Sequence, residues 1–216
     1  MSLLSLPRNI RDDIFKRVLV VRHPLYLFQD KYSAVVETFG PEIPVRWLAL
    51  LYTNRQVHDE ASAVLYGLNR FILVDTTPQQ VRLLQSFLNC IGSVNAGLLS
   101  HLCINFPVAE MVGEQPGEIL LREDGLRSLK LLQDNCINLK TLENFVHREN
   151  STYLRQASHD DSQFIREALS QIDAQFKLIS SLSRIIVRFY DGPPAPSLME
   201  LMQGLGWVII VGDQGQ

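Results

Sequence analysis

The chain has 216 residues, 46% hydrophobic and 20% charged, with 20 basic against 23 acidic side chains and a formal net charge of −3. That is globular composition, enough for one core or for a small module joined to a larger one. The basic residues are spread rather than clustered, which leaves no electrostatic footprint for nucleic acid, an acidic substrate or a membrane surface, and no apolar run reaches membrane-spanning length.

Ile10, Ile14, Phe15, Val18 and Leu19 recur at intervals of three and four after Pro7, which predicts a helix with one apolar stripe. Pro7 suits the first turn and Ser5 is the expected cap. Arg8, Arg11, Asp12, Lys16 and Arg17 fill the opposite side. Pro24 stops the helix, because the residue before a proline avoids helical angles. Residues 24–44 mix Tyr26, Phe28, Tyr32 and Phe39 with Gly40, Pro41 and Pro44, and read as an irregular insertion holding at most a short strand at 33–38. Two helices meeting at an angle should follow, because the apolar phase slips at Thr53 and Asn54, either of which caps a new helix well. Gly67 is the expected stop.

From residue 71 onward strands and helices alternate. Strands are expected at 71–74, 102–106, 139–146, 184–189 and 207–211, with helices at 78–91, 124–135, 161–180 and 197–202. The fold class is therefore α/β, with a mostly parallel sheet and helical crossovers. A helical module at 1–70, with its insertion at about 23–44, precedes an irregular α/β region at 71–216.

The opening LLSLPRNIRDDIFKRVL resembles an F-box, whose signature is a leucine pair, a Leu-Pro and then an Ile-x-x-x-Ile-Phe helix. TNRQVHDEASAVLYGLNRFIL resembles the companion segment of fungal F-box-like proteins, with Arg55, Gln56, Glu60, Ala61, Leu65, Tyr66, Asn69 and Phe71 in order. Asn9 stands where the family usually has Glu, and Asn54 where it usually has Cys. Residues 135–143, NCINLKTLE, resemble the turn and strand of leucine-rich repeats often found after an F-box, with weaker echoes at 99–104 and 182–187. The later region thus resembles a small, irregular leucine-rich-repeat-like sheet, its uneven spacing excluding a regular repeat. The resemblance implies a non-catalytic substrate adaptor of a cullin–RING ubiquitin ligase. Leu3, Leu4, Leu6, Pro7, Ile10, Ile14 and Phe15 would pack on its Skp-type adaptor protein, and the later region would hold an unknown protein substrate. An F-box-derived protein that no longer binds the adaptor, its first helices capping the core, is the alternative.

No cofactor and no metal ligand set is expected. Cys90, Cys103 and Cys136 are odd in number, far apart and never in a C-x-x-C, so reduced buried thiols in a cytoplasmic or nuclear protein are expected. His101 and Cys103 would share one side of a strand, but no Gly-rich turn supplies the oxyanion donors of a Cys–His nucleophile. His159, Asp160 and Asp161 read as a helix cap rather than a metal site. In the stretch His58-Asp59-Glu60, Glu60 is expected to pair with Arg55 or Arg70. Gly204-Leu205-Gly206 ends a helix and opens a strand, the reverse of a dinucleotide loop. Gly113 and Gly117 mark a polar loop, and Pro193, Pro194 and Pro196 a loop before a helix. A small α/β hydrolase or transferase would require a motif that none of these completes.

Overall fold

The apolar spacing of the opening segment produces a helix, α1 (Arg8–Leu19), entered through a 3-10 turn at Leu3–Ser5. These belong to a computed structural model that describes residues 3–30, 32–41, 43–112, 118–147, 154 and 162–212. Pro7 is the N-cap, its carbonyl accepting from the amides of Ile10 and Arg11 at 3.1 Å each. Ser5, the expected cap, belongs to the preceding turn. A 3-10 helix (Trp47–Tyr52) then leads at a break into α2 (Arg55–Leu68). Asn54 caps α2 as expected, its Oδ1 accepting from the Val57 amide at 3.0 Å. The helix runs through Gly67 to Leu68, because Gly67 does not take the left-handed conformation that would end it.

Seven strands form one sheet in the order β2-β1-β3-β4-β7-β8-β9. They are β1 (Leu25–Phe28), β2 (Glu37–Phe39), β3 (Phe71–Leu73), β4 (His101–Asn105), β7 (Thr141–Val146), β8 (Arg184–Phe189) and β9 (Val208–Val211). Every neighbouring pair is parallel except β1 with β2. The expected mostly parallel α/β sheet is therefore present. From β1 onward its strands advance in sequence order, and crossovers of one hand that never reverse direction put their helices on one side. That side is covered by α3 (Thr77–Ala96), α4 (Glu123–Asn135), α5 (Ser162–Lys177) and α6 (Pro196–Gly204). Gly92, with φ 76° and ψ 163°, kinks α3 one residue beyond the expected helix end.

The core lies between sheet and helices. Leu102, Leu142 and Val187 from the strands meet Leu84, Leu132, Ile172 and Phe176 from the helices, all fully or nearly fully buried. Leu99, Leu139 and Leu182 stand three residues ahead of Leu102, Leu142 and Ile185, which lie side by side in register. The three sequence echoes therefore stack. The Ser100 carbonyl accepts from the amides of Lys140 and Thr141, and the Lys140 carbonyl from those of Ser183 and Arg184, all within 3.0 Å.

Two elements depart from expectation. The segment read as an irregular insertion supplies β1 and β2, and the short strand expected at 33–38 lies at 37–39. Leu25 and Leu27 enter the core while Tyr26 faces the other side. The expected boundary at residue 70 thus falls between two strands hydrogen-bonded to each other, with the Leu25 amide donating to the Arg70 carbonyl at 2.8 Å. A separate hairpin, β5 (Ala109–Val112) with β6 (Glu118–Leu121), also formed where no strand was expected. It leans on α5, where Gln171 Nε2 donates to the Ile119 carbonyl at 3.1 Å. Among the described residues no helix is long and apolar enough to cross a membrane.

Candidate functional site

The opening helix has two apolar sides, and they meet different surroundings. Phe15 and Leu19 point inward, fully buried against Val57, Ala61, Val64 and Leu65 of α2. Ile10, Ile14 and Val18, spaced by four residues, run along the outer side. Ile10 is 41% and Val18 39% exposed, Ile14 is half-buried, and Leu4 of the leader is 38% exposed. Pro7 is exposed, while Leu3 and Leu6 are half-buried. Six of the seven residues expected to dock thus retain accessible surface and one, Phe15, does not. Phe15 is a correction to the expected docking set. It lies four residues after Arg11 on the side that α2 covers, so it is an anchor of the module itself. Val18, which the F-box signature did not single out, takes a place on the outer side.

What holds this arrangement is polar. Arg11 of α1, only 7% exposed, grips Glu60 of α2 with both branches of its guanidinium, Nε to Oε2 at 2.7 Å and Nη2 to Oε1 at 2.6 Å. Its third nitrogen, Nη1, donates to the Leu6 carbonyl at 2.6 Å and so draws the leader onto the helix pair. Gln56 Nε2 donates to Glu60 Oε1 at 3.0 Å. The hydrogen bond from Arg11 holds the Glu60 carboxyl down at about 2. The expected partners of Glu60, Arg55 and Arg70, are not the ones that bind it. Arg70 approaches Glu143 instead.

Asn69 closes the other end of the pair. Its Nδ2 donates to the carbonyls of Leu19 and Leu65, and its Oδ1 accepts from the Val21 amide, each at 2.9 Å. Tyr66 stacks on Phe71 with centroids 5.9 Å apart. The residues that carry the resemblance in this segment therefore join helix to helix and helix to strand.

The side of the sheet turned away from α3–α6 carries a charged cluster. His101 and Cys103 do share one side of β4, and Glu143 of β7 stands opposite Cys103. Glu143 is fully buried. Its Oε1 accepts from Arg188 Nε at 2.5 Å, while Oε2 lies 3.6 Å from Cys103 Sγ, 3.4 Å from His101 Nε2 and 3.7 Å from Arg70 Nη1. Burial would raise this carboxyl, but the His101 and Arg188 side chains and the charge of Arg70 outweigh it and hold Glu143 at about 2. Burial, with the charge of Glu143 beside it, pushes the Cys103 thiol well up.

A thiol in that state is a poor nucleophile. His101, Cys103 and Glu143 bring ligand atoms within 4.8 Å of one another, yet two guanidiniums already serve the carboxylate. The donor set does not suit a cation. The cluster is an ion-pair network in which Arg188 of β8 and Arg70, just ahead of β3, hold Glu143 of β7 beside His101 and Cys103 of β4.

Other expected features fall into place around it. Cys136 is buried and its thiol pushed up to about 12 by burial, whereas Cys90 is exposed, against expectation. Cys90 follows Leu88 on α3 by two positions and so turns out of the core. Gly206, with φ 85°, forms the turn into β9, and Pro196 opens α6. His159, Asp160 and Asp161, and the Gly113–Gly117 loop, lie outside the described residues. A cavity of about 530 Å³ opens at the C-terminal ends of β3, β4, β7 and β8, a feature that no sequence motif announced. Compared with known proteins, the chain matches no family model, no curated sequence and no solved structure.

Proposed function

We propose that this chain is a non-catalytic interaction protein, an F-box-type substrate adaptor. It would dock on the Skp-type adaptor of a cullin–RING ubiquitin ligase through the outer side of α1, and offer a protein target to the ligase from its sheet region. The observation that supports this most directly is the two-sided helix. Phe15 and Leu19 satisfy the module's own core, so Leu4, Ile10, Ile14 and Val18 are apolar without an internal reason to be. Fully burying a side chain of this kind stabilises by about 1.5–3 kcal/mol, and these, already part-covered, would contribute a fraction of that each. The Arg11–Glu60 pair and its bond to Leu6 hold leader and helix in one orientation before any partner arrives, which lowers the ordering cost of docking.

Recovery of the Skp-type adaptor by the intact chain, compared with Ile10→Asp plus Val18→Asp, tests the reading. Both sites are at the surface, so the double variant should fold, and it should lose the adaptor. Equal recovery by both proteins, or none by the intact chain, would discard adaptor docking through this face. The first helices would then serve only to cap the core.

A further inference from the structure

Strands β3, β4, β7 and β8 end at the cavity of about 530 Å³, the position where parallel sheets commonly hold ligands. Its wall is aromatic. The Tyr190 ring stacks on His147, centroids 5.4 Å apart and planes 2° from parallel, and meets Phe145 edge-on at 5.4 Å. Tyr26 of β1 lines the opposite side.

Among the described lining residues Asp75 and Asp191 are the acids and none is a lysine or arginine; the carboxylate that matters here is that of Asp75. Asp75 Oδ1 accepts from the Thr76 amide at 2.7 Å, directly before α3. The positive end of that helix is thus already answered by a carboxylate, and an anionic ligand would meet repulsion there.

The floor is held in place. Asn105 Nδ2 donates to the Asp75 carbonyl at 2.8 Å, and the Asn105 amide donates to Gln80 Oε1 at 2.8 Å. Gln80 Nε2 in turn donates to the Leu73 carbonyl at 3.0 Å. Both amide side chains are buried, so α3, β3 and β4 present Asp75 in one position.

We propose that this cavity binds a basic side chain, lysine or arginine, of a protein target. The inference rests on the reading above, in which the chain presents a target, and gives that target a chemical feature. A cation over an aromatic face is attracted by the ring's negative quadrupole, most strongly where water is thinned. The apolar stem of either residue packs on the same rings, while Asp75 faces the charge. The volume leaves room for the neighbouring peptide backbone. An apolar side chain would fill the wall but cover the Asp75 carboxylate without a counter-charge.

The test uses the full chain and blocked pentapeptides Ala-Ala-X-Ala-Ala, where X is arginine, lysine, norleucine or glutamate, titrated by amide NMR to roughly 10 mM, where weak contacts still register. The arginine and lysine peptides should perturb Asp75, His147 and Tyr190 and bind at least about threefold tighter than norleucine. Asp75→Asn keeps the acceptor for the Thr76 amide and drops the charge, so it should abolish that preference in a protein whose spectrum is otherwise unchanged. Tyr190→Ala should weaken both basic peptides by about threefold. Norleucine or glutamate binding as tightly, perturbation only elsewhere, or no perturbation by any peptide would overturn the proposal. No adaptor is present in this titration, so its outcome and that of the adaptor recovery stand apart.

Discussion

Asn69 at the end of α2 donates a hydrogen bond, 2.9 Å long, to the carbonyl of Leu19 at the end of α1, fifty positions earlier. The same side chain satisfies the Leu65 carbonyl and the Val21 amide, and it is only 2% exposed. One amide thus terminates two helices and aims the chain toward β1. Asn supplies two donors and an acceptor in a planar group, a combination that aspartate, leucine and alanine lack.

Asn69→Ala should therefore destabilise the chain by about 2–4 kcal/mol, because two buried carbonyls and one part-buried amide lose their partner at once. Urea denaturation gives the value. Asn69→Asp keeps the acceptor for the Val21 amide but turns lone pairs toward two carbonyls, so it should be no milder. A loss below about 0.5 kcal/mol for Asn69→Ala would mean that the helix ends do not meet as described.

Acid should act through the two depressed carboxyls. Glu60 and Glu143 sit at about 2 in the folded chain against an ordinary 4.5. The unfolded chain binds more protons between those values, so this stability is fully present above about pH 4.5 and is lost as the pH falls toward 2. Urea midpoints of the native sequence should drop through that window. Glu60→Gln combined with Glu143→Gln should be less stable at neutral pH and nearly flat across it. Parallel curves for the two proteins would show that neither ion pair forms.

Asn144 of β7 is fully buried, and among the described residues neither of its side-chain polar atoms has a hydrogen-bond partner. Its neighbours in register are Ile104 and Val187. An unsatisfied buried amide costs about 1–3 kcal/mol. Asn144→Leu, of similar size, should stabilise the protein by about 1–2 kcal/mol. A decrease in the thermal midpoint would show that the amide does have a partner.

The thiols should separate by exposure. Cys90 is open to solvent, while Cys103 and Cys136 are buried with their thiols pushed up by that burial. A thiol reagent at neutral pH should label one site in the native chain and the other two only after denaturant is added, with Cys90→Ser abolishing the native reaction. Rapid native labelling of Cys103 would contradict the closed charge cluster around Glu143.

Much of the fold was legible because it is written in local periodicity. The stripe of Ile10, Ile14, Phe15, Val18 and Leu19 specified α1, the phase slip at Thr53 and Asn54 specified the start of α2 to within a residue, and the run at 184–189 specified β8 to the residue. Alternation of such strands with helices was enough for a parallel sheet. Strand β1 was illegible for the opposite reason, and β2 was legible only as a short strand a few residues out of place. The four residues of β1 become a strand because Arg70 and Phe71 come alongside, and β2 then pairs antiparallel with the outer edge of β1.

The chemistry of the candidate sites lay further out of reach. Hydropathy marks Ile10 and Phe15 alike, and only the arrival of α2 against one side of α1 made Phe15 a core residue and left Ile10 at the surface. Glu60 found Arg11 across 49 positions and Glu143 found Arg188 across 45, separations at which sequence order says nothing about distance. Local sequence determined which segments fold and how. The packing of those segments decided which side chains meet, because ion pairing, burial and the cavity wall depend on position in space and not along the chain.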